Sequence, residues 1–204
     1  MPIATSSADA GVARLTATFP LAERLASVPD EVRRSHRMIL DTYLTKGEPP
    51  TAATIDPAHL AALSEIDAVV LRDGEIVGAY PFTSEGTSHG VQVDETIVGA
   101  MCSIDALAVG PVFGVESVVY SMCAVTHAPI RIADGAQAAE EILVGVHFQD
   151  PCSCAASSLC RDMVFLVGDE AAAAWRDADP DARELFALGD AIEFAERFFT
   201  PVVG

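Results

Sequence analysis

Apolar positions recur at helical spacing in "DEVRRSHRMILDTYLTKG", residues 30–47, where Val32, Ile39, Tyr43 and Leu44 share one stripe. Gly47, with Pro49 and Pro50 just beyond, marks the stop. A second short helix is predicted for "DPAHLAALSEI", with Asp56 as N-cap and Pro57 in the first helical position. "AVVLRDGEIVGAY" then reads as two strands joined by Asp73-Gly74, a two-residue hairpin signal. Helix, helix and hairpin in this order make a winged-helix-like module over residues 12–84, preceded by small and polar residues, 1–11, expected to be frayed.

Beyond the hairpin the pattern becomes short strands and helices in mixed order. "HGVQVD", "VESVVYSMC" and "PIRIAD" read as strands, "EILVGVHF" and "DMVFLVG" as buried strands, and residues 99–110 as a helix. "DEAAAAW" and "ALGDAIEFAERFF" read as closing helices. Strand and helix do not alternate regularly, which argues against a doubly wound sheet. The expectation is an α+β fold: the winged-helix-like module, then a mixed or antiparallel sheet core with flanking helices over residues 85–204. No internal repeat, low-complexity tract or glycine-rich phosphate loop is present.

Charge narrows the partners. Twelve Lys and Arg face thirty Asp and Glu, for a net charge of −18, and residues 1–50 are balanced. The remaining chain carries the whole excess, so it repels polyanions, and nucleic acid and anionic membrane are not expected as partners. The second predicted helix, lacking Lys and Arg, would meet phosphates with Asp56 and Glu65, which disfavours a winged-helix regulator. The acidic "DADPDARE" reads as a solvated face. No signal peptide or apolar run of membrane-spanning length is evident, and five cysteines fit no secreted disulfide framework, so a cytoplasmic protein with reduced thiols is expected.

The chemistry lies in those thiols. "GAMCSIDALAVGPVFG", residues 99–114, sets Cys102 and Asp105 three positions apart on one face of the predicted helix, in a stretch with no other ionisable side chain. The reading puts Cys102 in the first helical turn, where the dipole lowers a thiol pKa. An unpaired carboxylate is costly to bury and calls for a partner or a task. Cys123 ends an apolar strand and reads as structural. In "DPCSCAASS", Cys152 and Cys154 are either accessory ligands for Cu(I), Hg(II) or Zn(II), or incidental loop thiols. His127 and His147 read as structural groups, and no Ser-His-Asp elbow is present.

"MCSIDAL" resembles the Cys-x-x-Asp segment of the organomercurial (alkylmercury) lyases, and "SSLCRDMVFLVGDEAAAAW" resembles their second active-site segment. "YSMC" is similar to the family segment carrying a third, largely structural cysteine. The resemblance spans roughly residues 30–200 and implies that Cys102 and Cys160 are the paired catalytic thiols, Asp105 the acid and Cys123 the structural thiol. It implies protonolysis of a carbon–mercury bond in mercury detoxification, giving a hydrocarbon and Hg(II) held by Cys102 and Cys160. No cofactor is required; external small thiols would release the product, and a mercuric reductase could receive it. The competing expectation is a cysteine-rich metal carrier of the same fold, built on Cys152, Cys154 and Cys160, without bond cleavage. Asp105 separates the two, because a carrier needs no buried proton donor beside its thiol.

Overall fold

The structure, a computed structural model, describes residues 3–133, 142–148 and 155–204. The chain opens with helices α1 (Ala8–Thr18), α2 (Leu21–Ser27), α3 (Asp30–Lys46) and α4 (Pro57–Glu65). Residues 8–11, expected to fray, belong to α1: Ser7 caps its first turn, and Ser6 bridges to Phe186. Gly11 lets α1 close on the C-terminal helix, since a Cβ there would meet the Phe194 ring at 2.7 Å. Helix α3 ends as its sequence predicts, with Gly47 in the left-handed region at φ 76°. Asp56 caps α4 through the Ala58 N–H.

Strands β1 (Val69–Arg72) and β2 (Glu75–Ala79) form the predicted hairpin, with Asp73 and Gly74 both at positive φ. The hairpin does not stand apart as a wing. Through β3 (Phe82–Thr83) it continues into β5 (Thr96–Ala100), β4 (Gly90–Val93), β6 (Ser117–Met122) and β7 (Pro129–Ile132), giving a seven-stranded sheet in the order β1-β2-β3-β5-β4-β6-β7. Every named pairing in it is antiparallel. The expected boundary at residues 84–85 therefore falls inside one sheet.

Helix α5 (Ser103–Phe113) starts later than the predicted 99–110, because residues 96–100 pair in β5. Ser103 to Gly110 are all buried, so α5 has no polar face and runs as a central helix. It packs against α7 (Leu188–Val203), β5 and β9 (Met163–Val167). Strands β8 (Ile142–His147), β9 and β10 (Arg183–Ala187) form a second antiparallel sheet, ordered β10-β8-β9, with α6 (Gly168–Arg176) against it. Part of "DADPDARE", expected as a solvated face, is thus β10. A single backbone bridge, Cys123 to Phe165, joins β9 to the end of β6 among the described residues. The fold is α+β, as expected, with antiparallel sheets around one buried helix.

Candidate active site

Where β5 ends and α5 begins, the chain must leave an extended strand and start a helix within two residues. Cys102 occupies that junction as the N-cap of α5, not its first turn, with extended backbone at φ −153°. Its Sγ accepts from the Asp105 N–H at 3.4 Å, as a Ser or Asp cap oxygen would. The Cys102 S–H in turn donates to Asp105 Oδ2 at 2.7 Å. The i, i+3 spacing read from the sequence therefore closes on itself: the backbone of Asp105 holds the sulfur whose proton its carboxylate accepts.

Cys160 arrives from far along the chain. It opens a 3-10 turn, Cys160–Asp162, that feeds directly into β9, and β9 packs on α5. Sulfur and carboxylate atoms of Cys102, Asp105 and Cys160 all lie within 4.8 Å of one another. All three residues are buried, and all the cysteines among the described residues are free thiols. Met163, on β9, adds a thioether with Sδ 3.6 Å from the Cys102 sulfur.

Burial dominates the electrostatics. It raises the Asp105 pKa to about 7, and the hydrogen bonds from Cys102 and Cys160, which favour the carboxylate, only partly offset it. Burial likewise pushes the Cys102 thiol up to about 11, assisted by the neighbouring carboxylate. Cys160 is held well above the ordinary thiol value, first by its hydrogen bond to Cys102 and then by burial. The helix-terminus effect expected from the sequence is overridden, because in so dry a site the cost of an isolated thiolate exceeds what one helix end returns. The resting cluster holds neutral thiols beside a carboxyl group that gains or loses a proton near neutrality.

The walls are apolar. Leu15 from α1 and Phe19 at its C-cap, Phe198 and Phe199 from α7, and Tyr80, Ile104, Leu159 and Met163 surround the cluster. Free space amounts to ≈ 20 Å³, room for about one water molecule. A substrate carrying an organic group must displace part of this wall. None of these lining residues was singled out in the sequence, and the helix over residues 8–18 was not predicted; the spacing of Val12, Leu15 and Phe19 is the pattern that could have marked it.

Cys123 lies outside the cluster, inaccessible to solvent beneath the exposed turn 124–127. Its Sγ accepts from the Thr126 and Val167 N–H groups, each at 3.4 Å. Burial alone would raise its pKa, but hydrogen bonding from the Thr126 side chain, together with the Thr126, Val125 and Val167 amides, outweighs it and leaves the value lowered. His147 contacts Asp179 at 3.1 Å and Asp162 at 3.7 Å on the flank of the second sheet. Cys152 and Cys154 lie outside the described residues.

Two buried thiols and a carboxyl in an apolar chamber make a donor set whose sulfurs suit a soft cation. Comparison with known families narrows the reading: the sequence model of MerB, alkylmercury lyase, matches residues 82–200. This chain belongs to the alkylmercury lyase family, whose members are carbon–mercury lyases. Among solved structures it is similar to the mercury-bound form of MerB2, with a TM-score of 0.73 and 19% sequence identity, over 92% of this chain and 98% of that one. At that identity the likeness supports the shared α+β fold. A search of curated proteins found no match.

Proposed function

We propose that Cys102, Cys160 and Asp105 carry out the carbon–mercury cleavage by which this family detoxifies organomercurials. The observation that carries the assignment is the 2.7 Å contact between the Cys102 thiol and Asp105 Oδ2, with Cys160 in the same buried cluster. An organomercurial RHg⁺ is a soft cation, and thiolates are its preferred protein ligands. Cys102 exchanges with the small thiolate that delivers RHg⁺, forming a sulfur–mercury bond and releasing that thiol. Cys160 then adds to mercury, and its proton passes through Asp105 to the carbon as the carbon–mercury bond breaks. The products are R–H and Hg(II) bonded to two sulfurs, with no electron gained or lost.

Burial serves the reaction twice. It keeps Asp105 protonated in part near neutral pH, so the group can both take and return a proton, and it offers the organic group an apolar wall. External small thiols would then draw Hg(II) away, and a mercuric reductase is the receiving partner we propose from the family resemblance. The need for free thiols supports a reducing compartment, hence a cytoplasmic setting; none of the described helices is long and apolar enough to cross a membrane. Cys152 and Cys154 are accessory ligands at most in this reading.

The test uses phenylmercury with excess small thiol and follows benzene. Asp105→Asn keeps both sulfurs and so should retain phenylmercury, measured by mass spectrometry, while benzene release falls at least about a hundredfold. Equal benzene rates in parent and variant would remove Asp105 as proton donor. Retention of phenylmercury by the parent without benzene would favour a metal carrier.

A further inference from the structure

The active-site segment carrying Cys160 has a weakly built upstream end. Residues 155–162 comprise two isolated 3-10 turns, Ala155–Ser157 and Cys160–Asp162, and enter a sheet only at Met163. The first two backbone amides of this stretch are taken by side chains from the N-terminal half of the chain. Ala155 N–H donates to Asp67 Oδ2 at 2.8 Å, and Ala156 N–H donates to the Tyr80 hydroxyl at 2.7 Å. Tyr80 O–H in turn donates to Asp67 Oδ1 at 3.3 Å, so the two acceptors are tied to each other.

The backbone beside Tyr80 also meets the chain just before the other thiol. Tyr80 lies between β2 and β3, and the next residue, Pro81, accepts at its carbonyl from the Met101 N–H at 3.3 Å, one residue before Cys102. The ring is buried, lines the cavity and meets Phe19 edge-on at 5.3 Å. Arg24, on α2, lies over Phe19 and donates to the Ile66 carbonyl, which brings a positive charge beside Asp67. One side chain therefore touches the Cys160 segment while its neighbouring backbone holds the approach to Cys102.

We infer that Asp67 and Tyr80 form a latch that sets the Cys160 segment against Cys102, making them positioning residues for the second thiol. The inference rests on the reading of Cys160 as a mercury ligand. Two sulfurs serve one mercury atom only within a narrow range of separation, and a displacement of about 1 Å at a reacting group can cost on the order of a hundredfold in rate. The latch fixes that separation from the end of the segment which no described strand secures.

Tyr80→Phe keeps the ring in the cavity wall and removes the hydroxyl; Asp67→Asn keeps the shape but leaves only one acceptor oxygen for two donors. In the mercury-free protein, the modification of each cysteine by the small reagent methyl methanethiosulfonate is followed by peptide mass spectrometry under single-hit conditions. Cys160 should react about tenfold faster in either variant, as loss of a buried hydrogen bond shifts a local opening equilibrium, while Cys102 stays within about twofold of the parent. An unchanged Cys160 rate, or equal acceleration of both thiols, overturns the latch. Benzene release from phenylmercury, measured alongside, should fall in both variants. If the parent releases none while selective exposure of Cys160 holds, the lyase reading fails and the latch stands.

Discussion

Asp105 sits in an environment that opposes the charged form its side chain ordinarily takes. Its carboxyl is buried among apolar groups and titrates near pH 7, well above the usual carboxylate range. Between the unfolded value, about 3.9, and about 7, the native protein holds a proton that the unfolded chain has released, so stability falls as pH rises through this window. The stabilising contribution is complete below the unfolded pKa and lost above the folded one. Asp105→Asn removes that titration. Its melting temperature relative to the parent should therefore rise from pH 4 to pH 8, measured by differential scanning calorimetry at fixed ionic strength; a constant difference across the range would contradict the raised pKa. The pair of Cys102 and Asp105 was legible in the sequence because three-residue spacing in a helix implies proximity. The order of acidity was not, since it depends on how much protein lies on top of them.

At the scale of elements, the two sheets meet where β6 gives way to its terminal turn, and Cys123 is the joint. Its backbone bridges Phe165, and its sulfur accepts one amide from its own turn and one from the end of β9. Ser at this position is smaller and its hydroxyl reaches less far, so at least one of these long contacts is lost. Cys123→Ser should cost about 1–3 kcal/mol, a fall of a few degrees in melting temperature for a chain of this size, while benzene release per folded molecule survives. A variant as stable as the parent that has lost turnover would place Cys123 in the reaction. The sequence marked Cys123 as structural from its position at the end of an apolar strand; that it couples two sheets is visible only once β9 has been folded against β6.

Across the whole molecule, a net charge of −18 leaves native contacts to work against self-repulsion. The ion pairs among the described residues sit mostly at exposed or half-exposed positions, among them Arg72–Glu85 and Arg197–Glu193, where solvent and salt screen the attraction. Screening should therefore relieve more repulsion than it weakens attraction. The melting temperature is expected to increase between 10 mM and about 0.5 M sodium chloride, where the Debye length shrinks from about 30 Å to a few ångströms. A decrease over that range, in the same buffer, would mean that the pairs outweigh the excess charge. The same imbalance gives the surface a negative field that attracts cations and repels anions.

The sequence by itself determined the α3–α4 helices with their caps, the Asp73-Gly74 hairpin, the run of buried strands and the Cys102–Asp105 pair, because each is encoded within a few residues of itself. Its resemblance to the lyase family also named Cys160 as the second thiol. Only the tertiary structure decided that the hairpin joins a seven-stranded sheet, that "ELF" within an acidic stretch is the edge strand β10, and that residues 96–100 are strand before the helix begins. Those outcomes depend on pairing partners far away in the chain, and local propensity is overridden when a distant strand supplies the hydrogen bonds. The separation of the two sulfurs is decided at the same level: Cys102 is placed by β5 and α5, Cys160 by β9 and the contacts at Asp67 and Tyr80, and only the packing of α5 on β9 brings them within reach of one atom.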